Sequence, residues 1–175
     1  MVVLEKLAAL GKSAWYWLAL VLIGLGMEGM ALYYQYALDY GPCVLCIHVR
    51  IWTAGFVLVA LLALWLRRYW FPRVLVHLLN TLMMAGILER AWLLLGTERG
   101  TIFATCKMSA GLPDWFALDV WFPSVFQVWE SCGETPELLF GITMAEGLMV
   151  FGVVMSLVSA VLALVAILSR WIGAD

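Results

Sequence analysis

Charge is the first thing this sequence lacks. Only 13% of its 175 residues are charged, ten Lys or Arg against twelve Asp or Glu, about half the share of a soluble domain. Such a surface could not be solvated by water. Basic patches interleaved with aromatics are absent, which excludes a nucleic-acid partner. Histidine occurs only twice, and the sequence has no Cys-x-x-Cys-His haem signature, flavin fingerprint or iron–sulfur spacing. The single Cys-x-x-Cys has no second closely spaced ligand pair, so no metal site is expected.

Apolar length is abundant: 65% of residues are hydrophobic and the mean hydropathy is +0.99. A membrane-spanning helix takes about 20 apolar residues. Four such runs are legible, at about 14–33, 46–66, 74–95 and 141–168. The predicted fold class is therefore an all-α membrane protein, a four-transmembrane-helix bundle forming a single membrane domain over 1–175. Loops at about 34–45 and 96–140 carry the cysteines. Tyr69 to Arg73 forms a tight turn between spans two and three, with Pro72 suited to the first turn of the next helix.

The long loop is punctuated by Gly100, Gly111, Pro113, Pro123, Gly133 and Pro136. Its stretch from Asp114 to Glu130 is rich in Trp and Phe. That composition predicts a short helix lying in the membrane interface, or a small cap with its own core.

The cations set the expected orientation. Lys6 and Lys12 precede span one, Arg67, Arg68 and Arg73 join spans two and three, and Arg170 follows span four. The positive-inside rule places these and both termini in the cytoplasm, so both cysteine loops face outward. Disulfides persist in an oxidising compartment. The apolar run after Lys12 is of full spanning length without an Ala-x-Ala site, so the first span is expected to be retained rather than cleaved.

Cys43 and Cys46 lie three apart where the chain enters span two, on one face of its first turn. Backbone N–H groups and the helix dipole favour a thiolate there. Arg50 stands four residues beyond Cys46, one turn deeper on the same face. A permanent cation beside sulfur in a low dielectric makes a good leaving group and electron donor; the structural alternative is an arginine that snorkels or pairs with an acid. Cys106 and Cys132, both in the long loop, form a second pair. Alone they would be a structural staple; beside the first pair they suggest a two-electron relay by thiol–disulfide exchange. A lipid-soluble quinone fits as the terminal acceptor, with Arg50 polarising its carbonyl. His48 and His77 read as interfacial polar residues. The rival classes are a scaffold with two structural disulfides and a membrane thiol sensor.

The chain resembles the bacterial DsbB family of disulfide-forming membrane proteins over nearly its whole length. The resemblance rests on Ala31-Leu32-Tyr33, Pro42-Cys43-Val44-Leu45-Cys46 with Arg50, Phe103-Ala104-Thr105-Cys106, Leu112-Pro113-Asp114-Trp115 and Cys132. It implies an inner-membrane thiol:quinone oxidoreductase with the cysteine loops in the periplasm. This enzyme would reoxidise a DsbA-like periplasmic thiol oxidase and reduce ubiquinone or menaquinone. It also implies an order of events: the partner's cysteine attacks Cys106, Cys132 is released and engages Cys43, and Cys46 becomes a free thiolate beside the quinone and Arg50. Glu28 matches a family acid of unassigned role. Two positions depart from the pattern. Val49 replaces an acid common before the arginine, and a histidine often found near the outer end of the third helix is missing from Gly96-Thr97-Glu98-Arg99. A specialised paralogue with a dedicated partner is therefore left open.

Overall fold

The long apolar runs fold into long helices because a bilayer offers backbone N–H and C=O groups no partner but each other. A computed structural model of the chain describes residues 2–102, 108–133, 135–139 and 141–169. Its elements in chain order are α1 (Val2–Lys12), α2 (Ala14–Ala37), α3 (Val44–Leu66), α4 (Trp70–Glu98), a 3-10 turn (Asp114–Phe116), α5 (Leu118–Trp121), α6 (Pro123–Phe126), β1 (Glu137–Leu139), β2 (Ile142–Thr143) and α7 (Met144–Ser169). Four of the helices are long and apolar enough to cross a membrane. The chain is a multi-pass membrane protein whose four long helices pack together, as its apolar runs predict. The 29 residues of α4 extend about 44 Å at 1.5 Å per residue, well beyond a hydrocarbon core of about 30 Å.

Packing is sequential: α2 lies on α3, α3 on α4, and α4 on α7. The body of the bundle is apolar, with Trp17, Phe56, Met84 and Ile87 fully buried. Small residues set the close approaches. A Cβ on Gly24 would lie 2.4 Å from Val57, and one on Gly86 would lie 2.4 Å from the Trp52 indole. Trp15 and Trp65 point outward and are more than four-fifths exposed, as lipid-facing side chains should be.

Several features were not legible in the pattern. The segment before the first span is itself a helix, α1, which packs on α7. The turn from α1 into α2 is pinned by Trp17 Nε1–H donating to the Gly11 carbonyl at 3.0 Å. The Arg67 guanidinium donates to the carbonyls of Lys12 and Leu64, and Trp70 Nε1–H donates to Ala166 O at 3.0 Å. His77 is an interior residue, not an interfacial one: it is fully buried, its ring 4.9 Å from that of Trp17. Inside the bundle Asn80 Nδ2 donates to Ser159 Oγ at 2.7 Å, joining α4 to α7.

The long loop holds short helices, as expected, but as three separate turns rather than one. Phe122 to Gln127 is broken by Pro123, whose ring starts α6. Trp115, Val120 and Phe122 are exposed, whereas Val128 and Ala110 are buried with the N-terminal end of α3. The fourth long helix begins at Met144 behind the unforeseen β1/β2 hairpin. Thr143 and Glu146 cap it reciprocally: Glu146 N–H donates to Thr143 Oγ1, and Thr143 N–H donates to Glu146 Oε2, each at 3.3 Å.

Candidate functional site

The N-terminal end of α3 gathers the sulfur. Cys43 is the residue that caps the helix, with extended backbone, and its Sγ accepts the Cys46 N–H at 3.2 Å. The two cysteines therefore sit on the first turn, as their spacing predicts. Cys43 is buried and Cys46 half-buried. Cys132, from the long loop, packs against the same cluster, with its thiol in hydrogen-bonding reach of Cys43. Cys43 and Cys46 are free thiols here. Cys106, together with its neighbours Phe103 to Lys107, lies outside the described residues.

Backbone contacts hold Cys132 over Cys43. Trp129 N–H donates to the Pro42 carbonyl at 3.0 Å, and Glu130 N–H points to the same oxygen at 3.5 Å. Gly41 permits the approach, since a Cβ there would lie 2.7 Å from the Glu130 side chain. The Cys132 thiol lowers the pKa of Cys43, but its hydrogen bond with Cys46 and burial outweigh this and push the thiol up to about 12.

Arg50 is buried one turn below Cys46. Its guanidinium donates to Gln35 Oε1 at 2.6 Å, Val125 O at 2.7 Å and Ala31 O at 3.1 Å. Hence it neither snorkels nor spends its donors on an acid. Gln35 Nε2 donates to Ser124 O at 3.3 Å, and the Tyr36 hydroxyl donates to the same oxygen. His48 Nε2 lies 2.8 Å from Ala110 O. Four side chains of α2 and α3 thus grip three carbonyls of the long loop. Gln35 and Tyr36 were missed by the sequence reading. A lone amide in an apolar run is a signal, because burying it without partners is costly, but its partners could not be named.

Between α2 and α7, over α3, lies a cavity of about 300 Å³. That is the lower end of the range for small-molecule sites, about 300–1,000 Å³. Cys46 and Arg50 both line it. Most other walls are apolar, including Ile23, Met27, Leu94, Leu148 and Phe151, while Glu28 and Thr53 add polar atoms. Glu28 Oε1 is buried without a hydrogen-bond partner. The lining therefore suits a flat apolar molecule with a few polar atoms. Among the described residues no group of His, Cys, Asp and Glu could hold a metal ion.

Fold and site together define a multi-pass membrane protein with cysteines collected beside a cavity between its long helices. The family model for disulfide bond formation protein DsbB matches residues 13–164. The chain is 30% identical over 144 residues to the disulfide bond formation protein B of Shewanella denitrificans, covering 82% of each chain. It is 32% identical over 150 residues to that of Shewanella frigidimarina, covering 79% of this chain and 85% of the relative. With the disulfide bond formation protein B 2 of Pseudomonas aeruginosa it shares 33% over 132 residues, covering 74% and 78%. The chain belongs to the DsbB family, and its activity is that of an oxidoreductase in disulfide bond formation.

Proposed function

We propose that the protein reoxidises a DsbA-like periplasmic dithiol oxidase and passes two electrons through Cys106/Cys132 and then Cys43/Cys46 to a membrane quinone. The observation that carries this reading is the cavity shared by Cys46 and Arg50, with Cys43 against Cys46 and Cys132 in reach of Cys43. In this reading the protein sits in the bacterial inner membrane, with its cysteine loops periplasmic and both termini cytoplasmic.

The sulfur chemistry balances as follows. A partner thiolate attacks Cys106 of the Cys106–Cys132 disulfide; Cys132 leaves as a thiolate, and the partner's second thiol resolves the mixed disulfide. Cys132 attacks Cys43 of the Cys43–Cys46 disulfide, forming a Cys43–Cys132 bridge and releasing Cys46 as a thiolate. The docking of Trp129 and Glu130 on Pro42 holds these sulfurs in reach. Arg50 stabilises negative charge at Cys46 across the cavity. When bound, the quinone supplies a two-electron, two-proton acceptor in the lipid phase. Cys106, freed when the mixed disulfide resolves, attacks Cys132 of the bridge, which reforms Cys106–Cys132 and releases Cys43; Cys43 and Cys46 then close to their disulfide as two electrons and two protons pass to the acceptor, and the chain returns to its starting state. Both ubiquinone and menaquinone have this chemistry.

Anaerobic incubation of the purified protein with a reduced thioredoxin-fold partner and ubiquinone tests the reading, with quinol followed by absorbance. Steady quinol formation is expected, and in Cys46→Ser it should fall by at least about a thousandfold. Partner exchange without quinol would make the protein a thiol sensor. Disulfides inert to the partner would make it a scaffold. Labelling of the cysteines from outside whole cells checks the orientation.

A further inference from the structure

Two carboxyl groups line the cavity, and they differ in kind. Glu130 belongs to the outer loop and is exposed. Glu28 belongs to α2, halfway down the bundle, and its Oε1 is buried without a partner. Glu28, Ala31 and Gln35 fall at i, i+3 and i+7 on one stripe of α2. The other two members of that stripe accept hydrogen bonds from Arg50. Glu28 therefore faces the Arg50 side of the cavity, while the Arg50 hydrogen bonds run to Gln35, Val125 and Ala31 rather than to Glu28. An ionised carboxylate with an unsatisfied oxygen is expensive in an apolar cavity. A protonated one has an O–H to donate and open space to donate into.

We infer that Glu28 is the catalytic acid of the cavity, donating a proton to a carbonyl oxygen of the quinone bound beside Cys46. The inference rests on the quinone-reducing reading above. Oxidising two thiols to a disulfide releases two electrons and two protons, and forming quinol consumes two of each. Glu28 gives up its carboxyl proton as the electron pair leaves Cys46, and the resulting carboxylate lies near the Arg50 guanidinium. One thiol proton then restores the carboxyl. The other goes to the outer solvent, which supplies the second quinol proton through the cavity mouth lined by Tyr34, Tyr40 and Glu130. The groups facing Glu28 that titrate or carry charge are Cys46 and Arg50 from α3, Tyr34 from α2, and Tyr40 and Glu130 from the loops. The cavity walls from α4 and α7 supply none.

The test compares full-chain wild type, Glu28→Gln and Glu28→Asp. Decylubiquinone binding is read by tryptophan quenching, and single-turnover quinol formation is followed from prereduced protein across pH. Infrared difference spectra are recorded on quinone reduction. Glu28→Gln keeps the carbonyl and a donor but has no acidic proton. It should bind the analogue within about twofold of wild type and form quinol on the order of a hundredfold more slowly. It should also lose a protonated-carboxyl band from the difference spectrum, and Glu28→Asp should recover part of the rate. A wild-type rate and pH profile in Glu28→Gln would overturn the inference. If that variant does not fold, a wild-type difference spectrum without a carboxyl band would overturn it equally. Wild-type protein that forms no quinol at all would instead remove the reading beneath it.

Discussion

The two ends of α3 are held by different physics. Around Phe56 and Ala60 the helix meets Trp17, Val21 and Met84 through apolar packing, with glycines admitting neighbouring side chains. Around Cys43 to Arg50 it is held by hydrogen bonds from side chains to loop carbonyls: Arg50 to Val125, Gln35 and Tyr36 to Ser124, and His48 paired with Ala110. The body needs only shape, because lipid already satisfies its exterior. The sulfur end must hold a long, weakly apolar loop in one position, and carbonyl acceptors are what such a loop offers. Damage to the body should therefore appear as lost stability, and damage to the sulfur end as lost electron transfer.

The sharpest way to break this contrast is Arg50→Ala. It takes the Arg50 donor from Gln35 Oε1 and the Val125 carbonyl, a loss of about 1–3 kcal/mol, and removes the cation facing Cys46. Quinol formation should drop by at least about tenfold, with slower oxidative cross-linking of Cys43 to Cys132. A variant that loses only folding yield would make the arginine structural.

Gly24→Leu tests the body. Its side chain would collide with Val57 and Phe56, so about 1–3 kcal/mol of stability should be lost. Unfolding in mixed micelles measures it, and the turnover of the surviving folded fraction should be unchanged.

The thiol chemistry of Cys43 gives a pH test. With its pKa raised to about 12, the reduced protein holds Cys43 as a thiol at neutral pH, with about a thousandfold less thiolate than an ordinary cysteine near 9. Alkylation at Cys43, resolved by mass spectrometry, should be correspondingly slow and should keep accelerating as pH rises through 9. A plateau just above pH 9 would contradict the assignment. Replacing Cys132 with Ala should slow it further, because the Cys132 hydrogen bond is the larger of the two influences that lower the pKa.

The smallest effect is expected at Asn80→Ala. The hydrogen bond it removes, to Ser159, lies inside the bundle, where such bonds average about 0.6 kcal/mol. A loss several times larger, read from the same micelle titration, would mean that the body also depends on polar ties.

How far the sequence could be read follows the same division. Four helices, the helix-start position of Cys43 and Cys46, and the depth of Arg50 were legible, because hydropathy over about 20 residues and a period near 3.6 are local properties. The α1 helix was not, being too short and too mixed to register as a span. His77 was read as an interface residue because it lies near a helix end; its burial comes from α1 folding back against α4 at Gly11, a contact that no local pattern encodes. At the loop, the aromatic stretch leaves Trp115 and Phe122 exposed. It did not show that Pro123 would split the helix or that Val128 would turn inward.

By itself the sequence determined that this chain lives in a bilayer, crosses it four times, and carries a thiol pair with a cation one turn below. Lipid enforces helices wherever the run is apolar, and spacing along a helix fixes which residues share a face. Only the tertiary structure decided that Cys132 comes to rest against Cys43, that Gln35 and the Ala31 and Val125 carbonyls accept from Arg50, and that a space remains between α2 and α7. Those are contacts between residues up to 100 positions apart, settled by which buried donors find acceptors once the helices have packed.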